Sequence, residues 1–283
     1  MNYRHLYHAG NFADVIKHIV LTQCLDYLQR KEGPLCIVDA HAGAGLYDLR
    51  SEEAAKTSEW ERGIGCLQGL PSAPADLERY LSLVRDDLSE GRYPGSPLLI
   101  ARCLRQQDRL IANELHEPTF EALRTNLTPF KNARASRLDA YECIRATIPP
   151  KERRGLVLID PPFEEKDEFA TLARQMKQWK KRWATGICVL WYPIKAHLPV
   201  AALKDEARNL ALPRTWSVET LMFPRTQADT LNGCGLTVFN APFTVPERID
   251  ALLPALKEAM NLHETASAWE VPDATGGGPP MKR

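Results

Sequence analysis

The chain has 283 residues, 44% hydrophobic and 25% charged, enough to bury one large core and without the bias of a disordered or fibrous protein. Its 36 lysines and arginines balance 36 aspartates and glutamates, so bulk charge announces no nucleic-acid partner and any basic footprint is local. Seven scattered cysteines without a C-x-x-C pair argue against a disulfide framework or zinc site. The absence of a signal peptide and of any long apolar run points to a cytoplasmic protein without a membrane partner.

Residues 1–11 form an aperiodic arm in which Tyr3, Arg4, His5 and His8 can reach a nucleotide by stacking or charge, or simply fray. His5 and His8 have metal-like spacing, but no further ligand set accompanies them and no metal is expected. From Phe12 the pattern turns helical. Phe12, Val15, Ile16, Ile19, Val20, Cys24 and Leu28 make one apolar stripe, stopped by Gly33-Pro34. Lys17 and His18 lie off that stripe, where spacing alone favours solvated residues.

Leu35-Cys36-Ile37-Val38 reads as a short buried strand closing on Asp39-Ala40-His41-Ala42-Gly43-Ala44-Gly45. A glycine-rich turn after such a strand lets backbone amides approach a ligand at the strand's carboxyl end. As a dinucleotide fingerprint it fails: the last glycine of G-x-G-x-x-G falls at Asp48, and no acid sits about 20 residues on at the end of an adjoining strand. The loop better suits S-adenosyl-L-methionine (SAM), which has no pyrophosphate to cradle. Segments 52–69 and 75–90, split by Pro71 and Pro74, predict a small helical insertion over 48–94. Ser96-Pro97 reads first as a plain N-cap and first helical residue, although a helix start facing a ligand would offer both hydroxyl and amides.

Arg109 to Asn113 predicts a strand ending in Glu114, a carboxylate able to accept from a ribose diol. Asn132 to Leu138 predicts another, followed by Asp139, which can accept from an adenine amine. Each acid alone reads as a cap or surface charge. With Gly43 and Gly45 they place polar groups at three successive strand ends, where open α/β sheets bind ligands.

Leu156-Val157-Leu158-Ile159 has no polar alternation and reads as a strand buried on both faces. It leaves the sheet through Asp160-Pro161-Pro162-Phe163. The Asp160 carboxylate and the Pro161 carbonyl can accept both N–H groups of an exocyclic amine on a planar base, and Phe163 can stack on that base. The plainer reading is a turn whose phenylalanine packs into the core. Residues 166–183 predict a basic helix (Arg174, Lys177, Lys180, Lys181, Arg182) mixed with Trp179 and Trp183; this is a solvated face, or a phosphate track if it flanks the site. A strand at 187–192, a helix at 199–212, strands near 215–223 and 234–240 and a helix near 246–261 follow. The tail after Pro272 is expected to be disordered.

This alternation resembles the α/β fold of class I SAM-dependent methyltransferases, a Rossmann-like, seven-stranded and mostly parallel sheet. Asp160-Pro161-Pro162-Phe163 is similar to the (Asp/Asn/Ser)-Pro-Pro-(aromatic) motif of amino-methyltransferases. Six further motifs fall in order: Tyr3-Arg4-His5-x-x-His8-Ala9-Gly10-Asn11, Asp14-Val15-x-Lys17-His18, Asp39-x-His41-Ala42-Gly43-Ala44-Gly45, Tyr93-Pro94-Gly95-Ser96-Pro97-Leu98, Glu114-Leu115-His116 and Trp191-Tyr192-Pro193. Together, over residues 1 to about 262, they resemble the ribosomal RNA large subunit methyltransferase J family.

The resemblance implies an enzyme that places a methyl from SAM on the N6 amine of one adenine in 23S rRNA; no heptad or spare apolar face stands out, so a monomer is expected. Because the target base must be unpaired or flipped out, free rRNA or an early precursor suits it best. His18, His41, Ser96, Glu114, Asp139, Ala140 and Asp160 would line the SAM pocket, Asp160 and Phe163 would form the catalytic pair, and Tyr3 would contact RNA. The family usually has Tyr at Phe163 and Gly at Ala140. The implied organisation is one methyltransferase domain over 1–270, including the 1–11 arm and the 48–94 insertion, with a tail over 271–283. A DNA adenine methyltransferase shares the chemistry but usually carries a larger recognition domain, and a protein amino-methyltransferase more typically has Asn at position 160. An NAD-dependent oxidoreductase is disfavoured by the failed fingerprint. A non-catalytic RNA-binding module would have no need of Asp160.

Overall fold

Where the sequence runs apolar without alternation it forms the middle of a sheet covered on both faces. The computed structural model describes residues 5–70, 73–165, 167–228 and 230–271; Tyr3 and the tail after Val271 lie outside them. In chain order the elements are α1 (Phe12–Gln29), β1 (Cys36–Asp39), β2 (Leu46–Asp48), α2 (Glu52–Thr57), α3 (Ile64–Leu67), α4 (Ala75–Ser89), β3 (Arg92–Pro94), α5 (Ser96–Cys103), β4 (Arg109–Asn113) and α6 (Glu117–Leu127). They continue with β5 (Ala133–Ser136), α7 (Ala140–Thr147), β6 (Gly155–Ile159), α8 (Glu168–Trp183), β7 (Ile187–Ile194), α9 (Val200–Asn209), β8 (Thr215–Leu221), β9 (Gly233–Phe239), α10 (Thr244–Ala259) and β10 (Glu264–Val271).

The main sheet runs β10-β8-β9-β7-β6-β1-β4-β5. Pairs from β5 to β7 are parallel, whereas β9 is antiparallel to both β7 and β8. The mixed α/β sheet matches the sequence expectation, with one correction: it has eight strands, because β10 adds antiparallel to β8. The alternating exposure of β10, from Glu264 to Trp269, explains why it escapes a search for buried apolar runs. Segment 48–94 carries helices as expected, but a two-stranded ribbon, β2 with β3, closes it at both ends.

Helices divide between the faces. Leu156 and Leu158 of β6 join the core formed with α1, α4, α5 and α10, while Val157 and Ile159 join the one formed with α7, α8 and α9. At about 25 cal/mol per Å² of apolar surface removed from water, such two-sided burial makes the central strands rigid mounts for whatever follows their carboxyl ends. The start of β6 is equally constrained. A Cβ on Gly155 would lie 1.8 Å from the Cys36 carbonyl oxygen on β1. Gly155→Ala is therefore expected to force β1 and β6 apart and lower stability by about 3 kcal/mol or more in a urea titration. A loss under about 1 kcal/mol would contradict this packing.

Candidate active site

Loops from several strands meet at the carboxyl edge of the parallel strands, and the first turn of α1 organises them. Asn11 caps that helix by accepting from the Asp14 amide at 3.0 Å. Asp14 in turn accepts from the Gly10 amide at 3.0 Å, His5 Nε2 at 2.9 Å and Lys17 Nζ at 2.8 Å. Lys17 then reaches across the sheet to Asp160 Oδ2 at 2.5 Å. A single buried ammonium thus joins the first turns of α1 to the residue that ends β6.

This corrects the expectation that Lys17 and His18 are solvated: they are 4% and 0% exposed. Helix α1 is buried almost all round, so a position off the apolar stripe still faces protein. The usable signal was the near-absence of charge in the helix apart from Asp14, Lys17 and Asp26, with the first two spaced to pair. Burial alone would push Lys17 down, but the charges of Asp14 and Asp160 outweigh it and hold the ammonium well above its ordinary value. Burial likewise opposes ionisation of Asp14, yet His5 and Lys17 hold its carboxyl well below the usual range.

The other predicted residues converge here. The Asp160 amide donates to His41 Nδ1 at 3.3 Å, and burial lowers His41 to about 4, so the ring is neutral and its Nε2 carries the proton. Ser96 does not cap α5, since Gly95 is the N-cap; its hydroxyl donates to Asp39 Oδ2 at 2.6 Å. Burial raises Asp39 to about 6, and its Oδ1 has no partner among the described residues. His18 Nδ1 meets the Tyr93 hydroxyl at 2.7 Å, which meets Tyr80 at 2.9 Å. Burial lowers His18 to about 3, leaving a neutral ring whose Nε2 is also without a partner among the described residues. Asp39, Lys17, Tyr80 and Tyr93 were not singled out from sequence as site residues.

Glu114 closes the glycine-rich loop. It accepts from the Gly43 amide at 3.1 Å and the His116 amide at 2.8 Å, and burial raises its pKa. Gly43 has φ +62°, and a Cβ there would lie 2.1 Å from the Tyr47 hydroxyl, so only glycine fits. Asn113 binds the neighbouring loops together, donating to the Ala40 and Leu138 carbonyls at 3.3 and 2.9 Å. Asp139 behaves as the plainer reading has it: its Oδ1 caps α7 through the Tyr141 and Glu142 amides. Ala140, beside it, is 8% exposed and packs into the second core.

Phe163 takes a left-handed backbone, φ +53°, which is uncommon for a bulky residue. Its half-buried ring lies 5.1 Å from Phe169 and 5.8 Å, edge-on, from Trp191. The ring thus packs against two aromatic neighbours and still keeps part of its surface exposed. Three of the five cations singled out on α8 turn away from Asp160, while Arg174 donates to the Thr171 hydroxyl. Lys177 pairs with Glu206, Lys180 donates to the Leu210 carbonyl, and Arg182 donates to the carbonyls of Arg145 and Ile148. They tie the far end of α8 to α7 and α9, so they form no phosphate track beside Asp160. His5 and His8 turn to different carboxylates, Asp14 and Glu59.

A family model described as "Ribosomal RNA large subunit methyltransferase D, RlmJ" matches residues 32–271. The chain belongs to the ribosomal RNA large subunit methyltransferase J family. A Haemophilus influenzae protein of that name is 35% identical, the match covering 96% of this chain and 98% of its own. One from Escherichia coli K12 is 34% identical over 96% and 100%. A crystal structure of a Legionella pneumophila protein, 32% identical, superposes with a TM-score of 0.84 over 92% of this chain and 97% of that one. The family is one of methyltransferases, and this member is an enzyme of that class.

The residues present fit a sulfonium cosubstrate that carries an amino-acid end. Asp39 Oδ1 and His18 Nε2, without partners among the described residues, would suit an ammonium and a carboxylate, and the Gly43 loop offers backbone where a side chain would intrude.

Two outcomes test the electrostatics. Asp14 is depressed in the folded state, so its contribution to stability is complete above about pH 4 and lost as pH falls through its folded value. Asp14→Asn is expected to lower the melting temperature at pH 7 and to flatten the acid limb of a Tm–pH profile; an unchanged acid limb would contradict it. Lys17→Met is expected to cost about 3–5 kcal/mol, since it leaves carboxylates facing one another without their cation. Adding Asp160→Asn should recover roughly 1 kcal/mol or more of that loss, and strict additivity in the double-mutant cycle would contradict the pairing.

Proposed function

We propose that the protein transfers a methyl group from SAM to the N6 amine of an adenine in 23S rRNA, acting in the cytoplasm on free rRNA or an early assembly precursor. The observation that carries this reading is Asp160, a carboxylate at the end of a two-sided buried strand, backed by two prolines and held through one oxygen by Lys17. Family membership and the names of the relatives support the rRNA substrate.

The assigned roles follow from chemistry. Glu114 suits the ribose hydroxyls, Asp139 and Ala140 the adenine end, and Asp39, Ser96, His18 and His41 the methionyl end of the cosubstrate. When bound, SAM supplies an electrophilic methyl on a sulfonium. An adenine N6 is a poor nucleophile because its lone pair is delocalised into the ring. Lys17 occupies Asp160 Oδ2, which leaves Oδ1 to accept one N–H of the amine while the Pro161 carbonyl accepts the other. Two acceptors draw the nitrogen toward tetrahedral geometry, localise its lone pair and stabilise the positive charge that develops on it. Phe163 is assigned to stack on the base, and Tyr3, outside the described residues, is assigned to the RNA by the family pattern alone.

Asp160→Asn keeps the shape but removes the charge. It should bind SAM normally in calorimetry yet lose turnover by roughly 100-fold or more; near-full activity would sink the charge argument. Phe163→Ala should cost about 1–3 kcal/mol in kcat/KM, the worth of one stacking contact. Phe163→Tyr should be mild, and a large loss there would show that the position does more than stack.

A further inference from the structure

The opposite edge of the sheet carries a second feature that the transfer chemistry does not use. Where β6, β7 and β8 begin and α1 ends, a cleft of about 270 Å³ is lined by Tyr27, Arg30, Lys31, Arg153, Arg154 and Arg214 together with apolar and amide groups, and by no carboxylate. Five cations without an acid stand out in a chain whose formal net charge is zero. A cleft lined by one sign of charge focuses its field on an anion.

Several details argue against a merely solvated face. Three acids adjoin lining residues in sequence: Glu152 pairs with Arg109 at 2.7 Å and Asp26 with Arg79 at 3.2 Å, while Glu32, beside Lys31, acts on Arg105. Arg154 is fixed by donating to the Leu28 and Gly33 carbonyls at 2.6 and 3.1 Å, and Arg214 is held 5.1 Å over the Phe243 ring. Arg30 lies over Tyr27 at 5.5 Å, putting a guanidinium beside an aromatic face. Arg153 and Arg214 take φ values of +61° and +53°, which glycine would adopt at no steric cost; what arginine adds there is its guanidinium. The cations at the end of α1 complement its dipole, and Arg154 caps that end through the Leu28 carbonyl; Arg153 and Arg214, at the starts of β6 and β8, belong to no such helix end.

We propose that this cleft seats backbone phosphates of the substrate RNA at a distance from the target base; the proposal rests on the rRNA reading above. From Arg154 to Asp160 is six strand steps, about 20 Å at 3.3 Å each. A stacked strand at about 3.4 Å per nucleotide covers that distance in roughly six nucleotides, and the route round the covered sheet is longer. The cleft thus selects for a long, structured RNA over a short single strand carrying the same adenine, and it contributes affinity without sequence information.

The test compares two triple variants of the full chain, each losing three positive charges. Arg30→Gln/Lys31→Gln/Arg153→Gln empties the exposed part of the cleft, and Arg85→Gln/Arg124→Gln/Lys257→Gln removes exposed charges elsewhere. Binding of a protein-free 23S rRNA fragment containing the methylated adenine is titrated across 50–200 mM salt, with SAM affinity as the check on folding. The cleft triple should weaken RNA binding about tenfold or more and reduce the slope of log Kd on log salt by roughly 2, the control triple by much less. In the wild type, the RNA should protect Lys31 from acetylation whereas SAM should not, a readout that needs no variant to fold. Equal losses in the two triples, no loss in either, or an unprotected Lys31 would overturn the proposal. If the wild type methylates no rRNA at all, the functional reading fails and this assignment falls with it; if it methylates rRNA while the cleft triple binds normally, only the cleft assignment fails.

Discussion

The buried ammonium of Lys17 is the constraint on which the site depends. Desolvating a cation is expensive, and Lys17 remains charged only because Asp14 and Asp160 lie on either side of it. Asp14 is itself held by the cap of α1 and by His5, so the aromatic arm, the first helix and the end of β6 form one electrostatic unit. The Asp160 carboxylate, proposed as the acceptor for the reacting amine, is therefore positioned by the N-terminal segment, far away in sequence. An arrangement so tightly balanced spends stability on orientation, the usual condition of a preorganised polar site.

The sheet divides the labour between its edges. At the carboxyl ends, short loops carry the acids, the neutral histidines and the glycine-rich turn, each oriented by a neighbouring loop: Asn113 ties Ala40 to Leu138, and Glu114 ties itself to Gly43. Packing on both faces of β6 keeps those loops in register. At the amino ends the same strands begin among arginines. A chain that is neutral overall can in this way hold a polyanion without a basic surface at the chemistry itself.

Much of this was legible in sequence because it is local. The unbroken apolar run of Leu156 to Ile159 gives a buried strand, and the Asp160-Pro161-Pro162-Phe163 turn follows from it. Gly43 is needed for a positive φ that a motif can announce. Other features are set by tertiary contacts that no periodicity reports. Lys17 and His18 look solvated when α1 is treated as amphipathic, since nothing local says that α4, α5 and α10 enclose its other sides. Ser96 looks like a cap because Ser-Pro begins helices, yet its hydroxyl is claimed by Asp39, 57 residues earlier. Strand β10 alternates like a surface strand and gives no apolar signal. The basic run of α8 reads as a solvated face or a phosphate track, and only its contacts show Lys177, Lys180 and Arg182 turned toward α7 and α9.

The most direct measurement is transfer of labelled methyl from SAM to protein-free 23S rRNA, run beside assembled large subunits and duplex DNA, with the modified nucleoside identified by mass spectrometry. The account predicts N6-methyladenine at a single adenine in the free rRNA, with little label in finished subunits and none in DNA. Label confined to DNA, or rRNA label on a ring carbon or ribose oxygen in place of the amine, would contradict it.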